Sequence, residues 1–351
     1  MNVLAIGSDR SVLDASSQSA KRQIAYGQHF DALNIIVFKL GKGSAPAVVL
    51  SDKVRVVATC SRSRLFYGLD AIRIARTLQK PDIVSAQDPF EAGLVAWFIA
   101  RMLGAKLHVQ VHTDFHSPYF TGAVNLIRRG LARFVLGRAD RIRVVSDRIK
   151  ESLEERSSKS APITVLPIFV DVARFHSAHA GILAGRFAAF STRLLVVARL
   201  EKEKNIGLAI DAFAKAAPHD SCLIIVGDGG ERRKLSMGVA RLGMAGRVFF
   251  EGESNPLPYY AVADLLLVPS LYEGYGLVII EALAAGKPVL STDVGVAREA
   301  GALVAETRHF TEALAAWFEN GPRIGVLQQY PYQTFDEYVA KYTTDIANTV
   351  A

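Results

Sequence analysis

Two doubly wound, Rossmann-like α/β domains facing each other across a cleft are the fold this sequence predicts, on three observations. The chain is 351 residues long, about two domains at roughly 100–200 residues each. Short runs rich in Val, Ile and Leu alternate with longer stretches of helical spacing. The alternation occurs twice, on either side of an irregular segment, which is the pattern of two α/β units built on parallel sheets.

In the first half the strand candidates are residues 3–6, 34–37, 54–58, 83–86, 107–111 and 141–145. In the second half they are 193–198, 222–226, 248–250, 265–268 and 288–290. Such apolar runs suit strands covered by helices on both faces. Helical spacing fills the gaps at 68–78, 125–136 and 208–216. Between Pro167 and Ser191 lie two histidines, Gly181 and Gly185, with no clean strand pattern, so the domain boundary is expected there. The expected domains are 1–170 and 171–331. A C-terminal helix over 332–351, aromatic in content, is expected to pack back towards the first domain. In open α/β sheets small molecules bind beyond the carboxyl ends of strands, so the cleft is the expected site.

Composition narrows the function classes. Half of the residues are hydrophobic and 21% are charged, the balance of a globular protein with a sizeable core. The two cysteines, Cys60 and Cys222, lie far apart and have no partner at metal-ligand spacing, which argues against a disulfide framework or zinc site and for a reducing, cytoplasmic setting. No cleavable leader is legible after the first strand, and the most apolar stretch, 92–100, falls short of the roughly 20 residues needed to cross a bilayer. The net charge of +7 is uneven: residues 1–160 carry 24 Lys/Arg against 14 Asp/Glu, and the remainder 17 against 20. A basic first half suits an anionic membrane surface or an anionic acceptor, with Arg128, Arg129, Arg133, Arg138, Arg141 and Arg143 as headgroup contacts. Nucleic acid fits less well, because no base-stacking aromatics accompany the arginines.

The chemistry is concentrated in 264–290, a strand followed by Pro269-Ser270-Leu271-Tyr272-Glu273-Gly274-Tyr275-Gly276 and a helix. Gly274 and Gly276 let the backbone approach a ligand. The first helical turn offers unpaired N–H groups and the positive end of the dipole, a site for a diphosphate. Gly286 and Pro288 are placed to end the helix. On one continuous helix Glu273 and Glu281 would stand about 80° apart; with Glu273 before the turn, both can line one pocket. Paired carboxylates accept hydroxyl hydrogens, which suits a ligand carrying a sugar and a ribose.

Glu273 to Glu281 resembles the Glu-x7-Glu motif of the family 4 retaining glycosyltransferases, which have the GT-B fold. Upstream, the run Val196-Val197-Ala198-Arg199-Leu200-Glu201-Lys202-Glu203-Lys204-Asn205 is similar to the family's Gly-Arg-Leu-x3-Lys-Gly segment, with Ala198 and Asn205 in place of glycines. Val226-Gly227-Asp228-Gly229 resembles its Val-Gly-x-Gly strand end, and 167–175, with Asp171, its linker region. The resemblance implies that Arg199 and Lys204 bind the donor phosphates, Glu281 the ribose and Glu273 the donor sugar, with Gly227 and the backbone of Gly274, Tyr275, Gly276 and Leu277 adding contacts. Two cations can also neutralise charge growing on a leaving nucleoside diphosphate. No Asp-x-Asp pair is present, so no metal and no cofactor are expected; the donor, a UDP- or GDP-sugar first of all, is a co-substrate.

In the first half, Val109-Gln110-Val111-His112-Thr113-Asp114-Phe115 ends a strand in a polar cluster. The similar family segment carries a histidine near the reacting carbon, which makes His112 the candidate and His116 its rival. Gln87-Asp88-Pro89-Phe90-Glu91 resembles an acidic family segment, so Asp88 or Glu91 is a candidate acceptor contact, with helix capping by Asp88 the competing reading. One departure stands out: the family's glycine-rich first loop is replaced by Ser8-Asp9-Arg10 after Gly7.

The reading is a metal-independent retaining transferase moving a sugar onto the hydroxyl of a saccharide or lipid-linked saccharide, in polysaccharide biosynthesis. It is expected in the cytoplasm, at the inner face of the membrane where peripheral. The alternatives are a catalytically degenerate GT-B partner of another transferase and a GT-B nucleotide-sugar epimerase. A phosphorylase lacks a motif for its pyridoxal lysine, and a nicotinamide dehydrogenase lacks Gly-x-Gly-x-x-Gly after the first strand.

Overall fold

Val, Ile and Leu runs bounded by Gly, Asp and Ser form two sheets in the computed structural model, which describes residues 1–41, 47–155 and 161–350. The chain divides into two compact units: Met1–Pro167 with the C-terminal segment from Thr334, and Ile168–Gln333. These limits stand within three residues of the expected ones.

The first unit contains β1 (Asn2–Gly7), β2 (Ala32–Val37), β3 (Val48–Val49), β4 (Val54–Ala58), β5 (Ile83–Ala86), β6 (Lys106–Val111), β7 (Arg141–Val144) and β8 (Ile163–Val165). Their order is β3-β4-β2-β1-β5-β6-β7-β8, parallel except for β3 against β4. The second unit contains β9 (Thr192–Val197), β10 (Ser221–Val226), β11 (Val248–Gly252), β12 (Leu265–Val268), β13 (Val289–Ser291) and β14 (Leu303–Val304), in the all-parallel order β11-β10-β9-β12-β13-β14. The strand order reverses between β1 and β5 in the first sheet and between β9 and β12 in the second. In open α/β sheets such a switch point is where ligands bind, beyond the carboxyl ends of the strands.

The second unit's core packs Leu194, Val196, Leu223, Ile225 and Leu267 of the sheet against Ile210, Phe213, Phe310, Leu314 and Trp317 from its helices. Each such side chain contributes about 1.5–3 kcal/mol by leaving water. The Trp317 indole N–H donates to the Pro322 carbonyl at 2.9 Å, so its one polar atom is satisfied.

In the first unit the terminal helix Phe335–Ala347 covers a polar layer of the sheet. Along β6 and into the residue that follows it, 108, 110 and 112 share one face because side chains alternate along a strand. His108 lies 2.8 Å from Ser85 Oγ and 3.1 Å from Asp345 Oδ2. Gln110 donates to the Tyr342 hydroxyl at 2.9 Å, and Tyr26 meets Tyr338 at 3.2 Å.

This layer corrects the expectation that six arginines face headgroups. Arg143 is 2% exposed, and Arg141 donates to Asp345 at 2.5 Å and to Thr164 at 2.8 Å. Both stand on β7 at positions that alternate into the covered face. Arg129 is tied to the carbonyls of Phe115 and Ser117, whereas Arg138, lying over the Phe134 ring, and Arg133 are both exposed. No described helix is long and apolar enough to cross a membrane.

Candidate active site

At the second unit's switch point, the loops after β9 and β12 are fastened to each other. Leu271 N–H donates to the Glu203 carbonyl at 2.8 Å. Lys204 Nζ lies 2.7 Å from both carboxylate oxygens of Glu273, and the Ser270 hydroxyl donates to Glu273 Oε1 at 2.8 Å. This pair is largely shielded, with the two side chains 16% and 11% exposed. Arg199 contrasts with it: its side chain is 74% exposed and makes a 3.4 Å contact with Glu203. The β9 loop thus holds one cation engaged on a carboxylate and one extended into solvent.

Two local conformations explain the residues at this crevice. Asn205 has φ of 49°, a left-handed backbone that asparagine tolerates better than other non-glycine residues. That accounts for Asn205 where the resembled pattern has glycine. Gly227 has φ of 131°, and a Cβ there would stand 1.9 Å from the Ala198 carbonyl oxygen. Its lack of a side chain therefore serves close packing against the β9 loop.

The helix Leu277–Ala284 begins at Gly276, which has φ of 90° and supplies no side-chain cap to the first turn. The turn before it is braced by Val296 N–H donating to the Tyr275 carbonyl at 2.9 Å. Ring and turn burial place Tyr275 in the interior, so the contribution open to it at the crevice is its backbone; Leu277 is 38% exposed. Gly274 is half-buried between Glu273 and Tyr275. Glu281 accepts a hydrogen bond from Tyr260 at 2.7 Å. Burial holds the Glu281 carboxyl above its ordinary range, opposed by the Tyr260 hydroxyl and the Arg174 charge. A groove of about 310 Å³ in this unit, lined by Ile206, Ile210, Leu235 and others, includes none of Lys204, Glu273 and Glu281.

In the first unit, Asp88 accepts from Phe90 N–H at 2.8 Å ahead of the helix Glu91–Leu103. Its carboxyl is pushed up by burial, against the pull of that amide bond. Asp88 thus closes a local turn ahead of the helix, whose N-cap is Phe90 and which has no side-chain cap, in place of the expected helix capping. Glu91 pairs with Arg128 at 3.0 Å on the surface. Half-buried His112 lies 3.3 Å from Gln110 Oε1 through Nε2, while the backbone N–H of His116 donates to Asp114 Oδ1. The glycine-poor first loop also has a local explanation. A Cβ on Gly7 would meet Gln87 Oε1 at 1.8 Å, so the Gln87 side chain occupies the space over β1. Asp9 caps the next turn by accepting from Ser11 and Ser19.

Residues 191–320 match the family described as glycosyl transferases group 1, and residues 27–168 match the glycosyl transferase 4-like domain. Together these matches cover both units. The chain belongs to the family 4 glycosyltransferases.

Among its relatives is a lipopolysaccharide core mannosyltransferase, LpsB, of Rhizobium meliloti. It is 27% identical over 58% of this chain and 63% of its own length. A 2-deoxystreptamine glucosyltransferase of Streptomyces kanamyceticus is 32% identical over 58% of this chain and 56% of its own. The matched region is thus under two thirds of either relative. Solved GT-B structures agree in fold over the whole chain. Anabaena HepE in complex with UDP has a TM-score of 0.72 at 19% identity, with 97% of that chain covered. A sucrose-phosphate synthase of Thermosynechococcus elongatus has 0.75 at 18%, with 94% covered.

Several residues of this glycosyltransferase were not singled out by sequence reasoning. Ser270 was quoted only as part of the turn, although its hydroxyl orients Glu273. Tyr260 contacts Glu281 from 21 residues away, and Gln110 lies against His112. The signal available for Gln110 was the strict alternation of polar residues at 108, 110 and 112.

Proposed function

We propose that this glycosyltransferase moves a sugar from a nucleoside-diphosphate sugar to an acceptor hydroxyl with retention of anomeric configuration and without a metal. The observation that carries the reading is the second unit's switch point, where Lys204, Glu273 and an uncapped helix start converge and the largely exposed Arg199, loosely paired with Glu203, can turn to an anion. Arg199 and the first turn of Leu277–Ala284 bind the diphosphate. Glu281 accepts ribose hydroxyls, and Glu273, steadied by Lys204 and Ser270, accepts hydroxyls of the donor sugar. The β-phosphate oxygen takes the acceptor's proton as the sugar–phosphate bond breaks on the face where the new bond forms. The chain's part is orientation and stabilisation of separating charge. UDP is the first nucleotide to test, supported by HepE, solved with UDP.

Acceptors at an anionic membrane surface are the second part of the proposal. The helix Ala123–Leu136 leaves Val124, Leu126 and Ile127 64%, 69% and 64% exposed, with the exposed Arg133 one or two turns on. A helix with an outward apolar stripe and cations beside it suits the interface of an anionic bilayer. Each apolar side chain contributes about 1.5 kcal/mol on burial, so Leu126→Ser/Ile127→Ser is expected to bind phosphatidylglycerol vesicles at least ~100-fold more weakly. Undiminished vesicle binding by that variant removes the membrane reading. For the reaction, proton NMR of the product is expected to show the donor's anomeric configuration, made equally well in EDTA; an inverted product overturns retention.

A further inference from the structure

His112 differs from an ordinary strand-end histidine in that one of its ring nitrogens is engaged in a buried network whose proton positions can be deduced. Arg143 can only donate hydrogen bonds. Its Nη1 lies 2.9 Å from one terminal atom of the Gln110 amide, so that atom is the oxygen. The amide nitrogen then donates to the Tyr342 hydroxyl at 2.9 Å and to Ser85 Oγ at 3.3 Å. Both oxygen and nitrogen of Gln110 are used in full, which leaves no alternative orientation with as many bonds.

His112 Nε2 lies 3.3 Å from that same Gln110 oxygen. An amide oxygen has no hydrogen to offer, so Nε2 carries one. The network continues consistently in the other direction. Ser85, receiving from Gln110, gives its own hydrogen to His108 Nδ1 at 2.8 Å, and His108 Nε2 faces Asp345 at 3.1 Å. Ser85, His108, Gln110, Arg143 and Asp345 are all at most 5% exposed, so water does not compete for these bonds.

We propose that Gln110 and Arg143 are positioning residues that hold His112 as a neutral ring protonated on Nε2, presenting Nδ1 as a hydrogen-bond acceptor for a substrate hydroxyl. Nδ1 has no bonding partner among the described residues, and it is absent from the buried atoms sealed away without one. The second proton is disfavoured by burial first, then by the charges of Arg143 on β7 and Arg22 on the helix Gln18–Gly27, which together push the ring down to about 3. His112 therefore acts neither as a proton donor nor as a cation. It orients a hydroxyl. The role assigned to that hydroxyl rests on the transferase reading; the ring's protonation state does not.

The test uses the full chain labelled with ¹⁵N at histidine. In the ligand-free protein the His112 nitrogen shifts are expected to show a protonated Nε2 and a bare Nδ1, unchanged from about pH 8 to pH 5. A proton on Nδ1, or titration near the ordinary histidine range, overturns the assignment. Gln110→Met removes the acceptor and is expected to mix the tautomers and lower kcat at least 10-fold with little change in donor KM. Gln110→Glu keeps an acceptor for both Arg143 and His112, and so separates loss of positioning from loss of folding. It is expected to restore the Nε2-protonated ring and most of kcat, and to raise the ring's pKa so that an acid limb appears in the pH profile. Equal loss of kcat in both variants, with the tautomer intact in Gln110→Glu, overturns the positioning role. Because NMR reads the ring without substrate, its failure is distinguishable from a failure to bind any nucleotide sugar.

Discussion

Removing the Lys204 ammonium is expected to destabilise the second unit through Glu273, and the amount can be worked from the geometry. Both Glu273 oxygens lie 2.7 Å from Nζ, and hydrogen bonds to charged groups contribute about 1.5–3 kcal/mol. Breaking a fully buried pair by removing one partner costs about 3–5 kcal/mol. The side chains here are 16% and 11% exposed, so solvent screens part of that, and Ser270 still donates to the stranded carboxylate. Lys204→Met is therefore expected to cost about 2–3 kcal/mol. Glu273→Gln removes the charge that Lys204 answers, so adding it to Lys204→Met recovers part of the loss, with a coupling of about 2 kcal/mol. The assay is urea unfolding followed by the fluorescence of Trp317, which belongs to this unit's core, in a Trp97→Phe background that silences the chain's other tryptophan. Losses that add within about 0.5 kcal/mol would refute the coupling and with it the claim that the two loops are joined through this pair.

Three further outcomes follow from single residues. Gly227→Ala puts a methyl into the Ala198 carbonyl at a left-handed φ and is expected to cost about 3 kcal/mol or more; an unchanged urea midpoint contradicts this. Burial raises the Glu281 pKa, so the folded unit binds that proton more tightly than the unfolded chain, and the associated stability is full at low pH and lost as pH rises through the folded value. Glu281→Gln is accordingly expected to be more stable than wild type at pH 7, to converge with it near about pH 4, and to bind nucleotide about 10-fold more weakly. A destabilised variant at pH 7 contradicts the sign. Arg199→Ala, whose side chain is 74% exposed, is expected to leave the unfolding midpoint within about 0.5 kcal/mol while weakening diphosphate binding at least 10-fold by calorimetry.

Much of the fold was legible because parallel strands covered on both faces declare themselves as uninterrupted apolar runs. All eleven expected strands form, three with the expected limits and the others with ends shifted by one or two residues. The three that escaped, β3, β8 and β14, have two or three residues each, too few to show a period. In the second unit the Glu-x7-Glu segment was legible because one continuous stretch contains the strand end, the turn and both glutamates. Tyr260 was harder to see, since its contact with Glu281 depends on how two separate helices pack rather than on spacing. The arginines show the opposite error. Net charge places Arg141 and Arg143 on a surface, whereas their alternation on β7 puts them under a helix some 200 residues later in the chain.

The central claim is that the second unit binds a nucleoside-diphosphate sugar through Arg199, Lys204, Glu273 and Glu281. Its most direct test is calorimetric titration of the full chain with UDP-, GDP-, ADP- and CMP-sugars in EDTA, alongside Arg199→Ala and Glu273→Ala. One donor is expected to bind the wild type without metal and to lose at least 10-fold in affinity to each variant. Absence of binding by every donor, or binding that both substitutions leave untouched, would contradict it.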